Sequence, residues 1–262
     1  MDFNDTPQEA EFRKKVRSFL EANAEKRSTL AAKPKGDSGS SISSAGAPET
    51  VKGEDAAKVA LDNAKEWQRK KADAGFAAIL WPKEFGGYGG TPIEQVIYAQ
   101  EEHDYFVHSG YFEIGIGMLG PTMMAWGKDE DKKRFLPKMI TGEEIWCQLF
   151  SEPSAGSDLA GIRMKAEKDG DEWVLNGQKV WTSGAHFADY GMIVARSDPT
   201  ALKHKGLTYF YVDMKTPGIE AKPIKQISGS ANFNEVFFND VRIPDSQRIG
   251  AEGDGWTVSL TT

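Results

Sequence analysis

Two separated stretches of this chain carry hydroxyls, glycines and one large aromatic at spacings that suit a flat or anionic ligand. In the first, "CQLFSEPSAGSDLAG", residues 147–161, an apolar run ends at Leu149 and Phe150. It opens into Ser151, Ser154, Gly156 and Ser157, and Asp158 closes the loop. Amides and hydroxyls with no bulky side chain over them let a pyrophosphate or a planar ring approach the main chain. In the second, "NGQKVWTSGAHFADY", residues 176–190, an Asn-Gly pair precedes a strand ending in Trp181, Thr182 and Ser183, followed by Gly184. An indole beside hydroxyls suits a ring that needs stacking and a hydrogen bond. A plain structural account stands beside this one, with Trp181 in a core and Ser183 capping a turn. The residues alone leave both open.

Other candidate chemistry is weaker. "GIGMLG", residues 115–120, matches G-x-G-x-x-G, but helical sequence precedes it, Pro121 follows it and no βαβ unit surrounds it, so close helix packing is the better reading. His103, His108, His186 and His204 form no metal-ligand pattern. Glu101 and Glu102 lie on a predicted helix and read as a solvated face. No G-x-S-x-G elbow is present. Cys147, the single cysteine, sits among Trp146, Leu149 and Phe150 and reads as a small core residue rather than a nucleophile.

The elements that must position the two stretches divide near residue 142. Before it the pattern is helical. Thr6-Pro7-Gln8-Glu9 is a capping box, and Phe12, Val16, Phe19 and Leu20 follow at helical spacing. A second helix is predicted over 54–74, with Val59, Ala60, Ala64 and Trp67 inward and Gly75 as its stop. Thr91-Pro92-Ile93-Glu94 starts a third, predicted to reach His108. Helical pieces over 113–126 and 129–140 follow, the latter interrupted by Pro137. Residues 33–48, rich in Ser, Gly and Ala, read as a surface loop.

After Gly142 strands are predicted over 145–150, 163–168, 172–175, 179–182, 191–195, 207–213 and 234–238. Asp169-Gly170 and Asn176-Gly177 serve as hairpin turns. The fold class is therefore α+β: an all-α domain over 1–142, an antiparallel β-sandwich or barrel over 143–251, and the start of another helical region over 252–262.

Composition bounds the function. The 262 residues carry a net charge of −7, which argues against nucleic-acid partners because phosphate binding needs a basic face. The longest apolar runs are too short to span a membrane. Met1 leads into acidic and polar residues with no secretory signal visible, and one cysteine suits a reducing compartment, so a cytoplasmic location is expected.

Taken together, "SEPSAGSDLAG" and "DEWVLNGQKVWTSGAHFADY" resemble the flavin-binding signature of the acyl-CoA dehydrogenase family. "LWPKEFGGYGGTP" and "KRFLPKMITGEEIWCQLFSEP" resemble the family's approach to that signature, and "NEVFFNDVRIPDSQRIGAEGDGW" resembles its exit from the middle domain. The resemblance implies an N-terminal α-domain, a middle β-domain and a C-terminal four-helix bundle. It implies FAD as cofactor and an acyl-CoA substrate desaturated between Cα and Cβ, as in fatty-acid β-oxidation, with hydride passing to flavin N5. It also implies an electron-transfer flavoprotein as acceptor and an oligomer, of like or unlike subunits.

By the same resemblance Gln148, Leu149, Phe150 and Ser151 border the flavin ring, with Ser151 on its pyrimidine side. Ser157 serves the pyrophosphate region and lies close to the acyl-CoA. Trp181, Thr182 and Ser183 form the second wall, with Trp181 packed on the ring and the Ser183 hydroxyl addressing N5. Ser151 and Ser183 stand where the family often has Thr, and Ser154 where it often has Gly. The family's catalytic base is a Glu of the C-terminal domain, and no residue here matches that position. The chain runs only a few residues past Trp256, so it reads as a fragment of an enzyme whose catalytic base lies elsewhere. A chain completed by a partner, a non-catalytic subunit of a heteromer, and a flavin oxidase or monooxygenase of the same fold are the alternative readings.

Overall fold

The computed structural model describes residues 4–27 and 54–262; the predicted loop at 33–48 lies outside them. Two compact units divide the chain. One comprises Met1–Gly110 with Ile140–Glu143, the other Tyr111–Met139 with Glu144–Thr262. The dividing line thus places residues 111–139, helical in sequence, with the strands.

In the first unit, helix α1 (Pro7–Asn23) opens on a reciprocal cap. The Thr6 amide donates to Glu9 Oε2 at 2.6 Å, and the Glu9 amide donates to Thr6 Oγ1 at 3.3 Å. Strand β1 (Glu25–Lys26) follows it, then α2 (Glu54–Asp73) and α3 (Pro92–Glu102), the last opened by the same cap from Thr91. Phe12, Val16, Leu20, Trp67, Ile79, Ile97 and Tyr98 form the core.

Helix α3 stops at Glu102 rather than His108. The chain turns there into strand β2 (Tyr105–Phe106), antiparallel to β1, and Tyr105 enters the core. Burial of that ring outweighs the local helical pattern. Glu101 and Glu102 are not a solvated face. Glu101 pairs with Arg13 and Arg17, both at 2.8 Å, while Glu102 accepts from Trp67 Nε1 and the Tyr98 hydroxyl.

In the second unit, "GIGMLG" forms a π-helical turn over Gly115–Leu119 leading into α4 (Gly120–Trp126). Helix α5 (Asp129–Thr141) passes through Pro137 without the predicted interruption. Phe135 is wedged edge-on against Trp146, Tyr190 and Tyr211, and Leu136 and Met139 are buried, so packing holds the turn that proline weakens.

The strands are β3 (Trp146–Leu149), β4 (Lys165–Asp169), β5 (Glu172–Ser183), β6 (Tyr190–Arg196), β7 (Leu207–Asp213), β8 (Ile219–Ile224), β9 (Phe233–Pro244) and β10 (Arg248–Ile249). They form one sheet in the order β10-β7-β6-β4-β5-β9-β8, with β3 beside β6. Pairing is antiparallel except for β3 with β6 and one β4–β6 bridge, so the sheet is mixed, and its path does not close into a barrel. The core runs along β6 and β7, where Met192, Ile193, Val194, Tyr209, Phe210 and Val212 are buried.

Asp169-Gly170 makes its turn between β4 and β5, with Gly170 at φ 63°. Asn176-Gly177 does not. Residues 172–183 are one strand that pairs with β9 on both sides of this point, and the register slips because Asn176 stands opposite both Asn239 and Asp240, the extra residue lying on β9. Asn176 exchanges hydrogen bonds with Asp240 across the pair, and a Cβ on Gly177 would come within 3.0 Å of the Met164 backbone. The glycine serves a close approach rather than a reversal. Strand β8, not predicted, has no buried residue and contains Pro223, the composition of an edge.

Candidate functional site

The two stretches meet. The Val180 amide donates to the Ser151 carbonyl at 2.9 Å, and Lys179 reaches from β5 to the end of β3. Its ammonium is fully buried and makes three bonds, to the Phe150 carbonyl at 2.9 Å, the Val194 carbonyl at 2.8 Å and Glu152 Oε1 at 3.0 Å. Glu152 in turn accepts the amides of Arg163 at 2.7 Å and Met164 at 3.0 Å. Burial pushes the Lys179 ammonium down to about 8 against the opposing pull of Glu152. Neither residue was among the sequence candidates.

Beyond Lys179 the strand itself bulges. Lys179 faces Val236 and Thr182 faces Asn234, so Val180 and Trp181 stand opposite Glu235 alone. The extra residue turns Trp181 outward. The residue is 59% exposed, its backbone lies at φ 60°, and Phe233 meets its ring edge-on at 6.1 Å. A left-handed non-glycine residue costs about 1–2 kcal/mol, and an exposed indole regains little of that from packing. The core account of Trp181 therefore gives way to a surface one.

The other predicted site residues separate by burial. Gln148, Phe150, Ser151 and Ser183 are half-buried and present side-chain surface, while Leu149 and Thr182 are buried and offer only backbone. Asn234 donates to the Thr182 carbonyl at 2.9 Å and shares its own amide oxygen with His186 Nδ1 at 3.0 Å, which fixes the segment leading to Ser183. Ser157 is exposed on the loop that leaves Glu152. That loop is folded by the paired Glu152 and Ala155 amides and carbonyls and by the Asp158–Lys203 ion pair at 2.6 Å.

Thr182 Oγ1 is buried without a hydrogen-bond partner. An orphaned hydroxyl of this kind costs about 1–3 kcal/mol. Thr182→Val keeps the branched shape and removes the orphan. It is expected to raise the unfolding midpoint of the second unit by about 2–4 °C, read by near-ultraviolet circular dichroism during a thermal ramp. An unchanged or lowered midpoint would show that the hydroxyl has a partner.

Cys147 is buried and desolvation pushes its thiol up to about 12, which removes it as a nucleophile. Among the described residues no cluster of His, Cys, Asp and Glu is arranged to hold a metal, and no helix is long and apolar enough to cross a membrane.

The arrangement is thus a rim of small hydroxyls and one projecting indole on a braced pair of strand ends. The chain as a whole is similar to known proteins. Residues 47–143 match the family described as acyl-CoA dehydrogenase, N-terminal domain, and residues 147–241 match acyl-CoA dehydrogenase, middle domain. The acyl-CoA dehydrogenase IpdE1 of Mycobacterium tuberculosis (strain ATCC 25618 / H37Rv) is 42% identical over 203 residues, which cover 78% of this chain and 53% of that one. The ChsE4-ChsE5 complex from Mycobacterium tuberculosis is 31% identical with a TM-score of 0.76, over 99% of this chain and 60% of the solved one. The Tcur3481-Tcur3483 steroid ACAD is 29% identical with a TM-score of 0.78, over 100% of this chain and 62% of that one. This chain spans about half the length of IpdE1 and about three-fifths of each solved chain.

Proposed function

The chain belongs to the acyl-CoA dehydrogenase family, and from that premise we propose that it provides the flavin-facing wall of an FAD-dependent enzyme that desaturates an acyl-CoA thioester. The observation that carries the reading is Trp181, a large aromatic held outward on a backbone conformation it disfavours. A planar ring laid on its face would bury it and give the strain a purpose.

The residues present fit such a ring. Trp181 supplies the stacking face, Ser183 and Ser151 supply hydroxyls to its polar edges, and Ser157 serves the pyrophosphate region and the thioester end of the substrate. When bound, the flavin supplies a two-electron acceptor for the hydrogen leaving Cβ. The part of this chain is orientation. The Lys179–Glu152 pair and the Asn234 clamp fix the two hydroxyl-bearing segments relative to each other, which is what a near-attack geometry requires. The chain itself is assigned no group to accept the Cα proton.

Two finer features complete the proposal. The likeness to a steroid ACAD favours an acyl thioester carrying a bulky fused-ring system over a short straight chain. The likeness to a two-component complex favours assembly with a second chain, and membership of the family favours an electron-transfer flavoprotein as the electron acceptor.

The test is an anaerobic spectral titration of the protein, expressed with its chromosomal neighbours. The purified protein is expected to be yellow, and the visible flavin band is expected to bleach with thioesters bearing fused rings at lower concentrations than with hexanoyl-CoA. Protein that stays colourless after incubation with FAD would overturn the cofactor assignment. Equal bleaching by both thioesters would overturn the substrate class alone.

A further inference from the structure

We infer that Lys179 and Asn234 are positioning residues that act from opposite ends of one bulge to hold Trp181 outward. The inference deepens the proposed flavin site and rests on that reading for its purpose, though not for its geometry. Side chains of a regular strand alternate between faces. Lys179 points inward, so without an extra residue Trp181, two positions on, would also point inward and Thr182 would point out. The bulge reverses this, and Thr182 is buried while Trp181 is exposed.

Both ends of the bulge are fixed by buried polar side chains. At the near end, each of the three Lys179 ammonium hydrogens has an acceptor, on the end of β3, on β6 and on Glu152. At the far end, Asn234 is fully buried and holds the Thr182 carbonyl. A strand pinned inward at 179 and again at 182 has one short arc between, and Trp181 occupies its crest. The charged group packed against Lys179 is Glu152, and the titratable group on the Asn234 side is His186, whose imidazole is shifted downward by desolvation.

The test labels the whole chain with 5-fluorotryptophan and records fluorine NMR spectra of its seven tryptophans. Trp181→Phe assigns the Trp181 signal by its loss. In Asn234→Ala, and in Lys179→Met combined with Glu152→Gln, that signal is expected to move by more than its line width while the signals of the other six hold. In the unmutated protein it is expected to titrate as the pH is raised from 7 to 9.5, through the range in which burial places the Lys179 ammonium. A Trp181 signal unmoved across that pH range and in Asn234→Ala would overturn the inference, even where the paired variant fails to fold. None of these readings needs flavin. Colourless protein would sink the cofactor assignment and leave this one standing, and yellow protein with an unmoved Trp181 signal would do the reverse.

Discussion

Trp181→Gly is expected to leave the fold as stable as the native protein to within about 1 kcal/mol, while weakening FAD retention about 10- to 100-fold. The two halves have different causes. Glycine accepts the left-handed backbone without the steric penalty of about 1–2 kcal/mol that an L side chain meets there. Against this stands the loss of an edge contact with Phe233, about 0.5–1.5 kcal/mol, and of the side chain of a residue already 59% exposed. These nearly cancel. On the ligand side, covering one aromatic face with another is worth about 1.5–3 kcal/mol, one to two decades of affinity. Thermal unfolding followed by circular dichroism reads the first half and equilibrium dialysis against FAD reads the second. A variant that loses stability and flavin in proportion would return Trp181 to a structural role. Unchanged flavin binding would remove it from the site. Trp67 makes a poor comparison, because its ring lies in the first unit's core and its loss would damage that core directly.

How much of this was legible in the sequence depends on whether the information was local. The caps at Thr6 and Thr91 were legible because a capping box is closed within four residues. Trp181 was legible as a residue, through its type and its neighbours, but its exposure was not. Its direction is set by a bulge whose register is fixed on β9, more than fifty residues later. Asn176-Gly177 reads as a reversal for the same reason. An Asn-Gly pair serves a hairpin turn or a strand that runs on past a bulge in its partner, and only the pairing with β9 distinguishes them.

Lys179 and Glu152 escaped notice because a lysine in a strand reads as the solvent face and a glutamate in a Ser/Gly loop reads as surface. What makes them central is burial, which arises only when the ends of β3 and β5 come together. One signal was available. Lys179 shares the inward parity of Trp173 and Leu175, being an even number of positions from each, and a charged residue at a core position demands a partner. Reading Asn176-Gly177 as a reversal hid it, because the count then stops at Leu175 and Lys179 falls on a separate strand.

The buried pair yields the second large effect. Glu152→Ala leaves an ammonium in the interior with two carbonyls and deprives the Arg163 and Met164 amides of their acceptor. Lys179→Met leaves a carboxylate facing a thioether. Removing one member of a buried pair costs about 3–5 kcal/mol, whereas replacing both together often costs far less. Lys179→Met with Glu152→Gln is therefore expected to be no less stable than Lys179→Met alone or Glu152→Gln alone, by urea unfolding of the second unit, and a double variant that loses the sum of those two would show that the two act independently. The pH dependence carries its own sign. The unfolded chain binds the Lys179 proton up to a pKa near 10.5, the folded chain only up to about 8, so between those values the unfolded state holds more protons. Stability from this group is flat below about 8 and rises from there toward 10.5, opposite to the loss expected of a lysine that gains a net favourable partner. Subtracting the pH profile of Lys179→Met from that of the native protein isolates the term. A difference that falls across the interval would mean that the pairing with Glu152 outweighs the desolvation of the ammonium, and that the strand ends are held by charge rather than in spite of its burial.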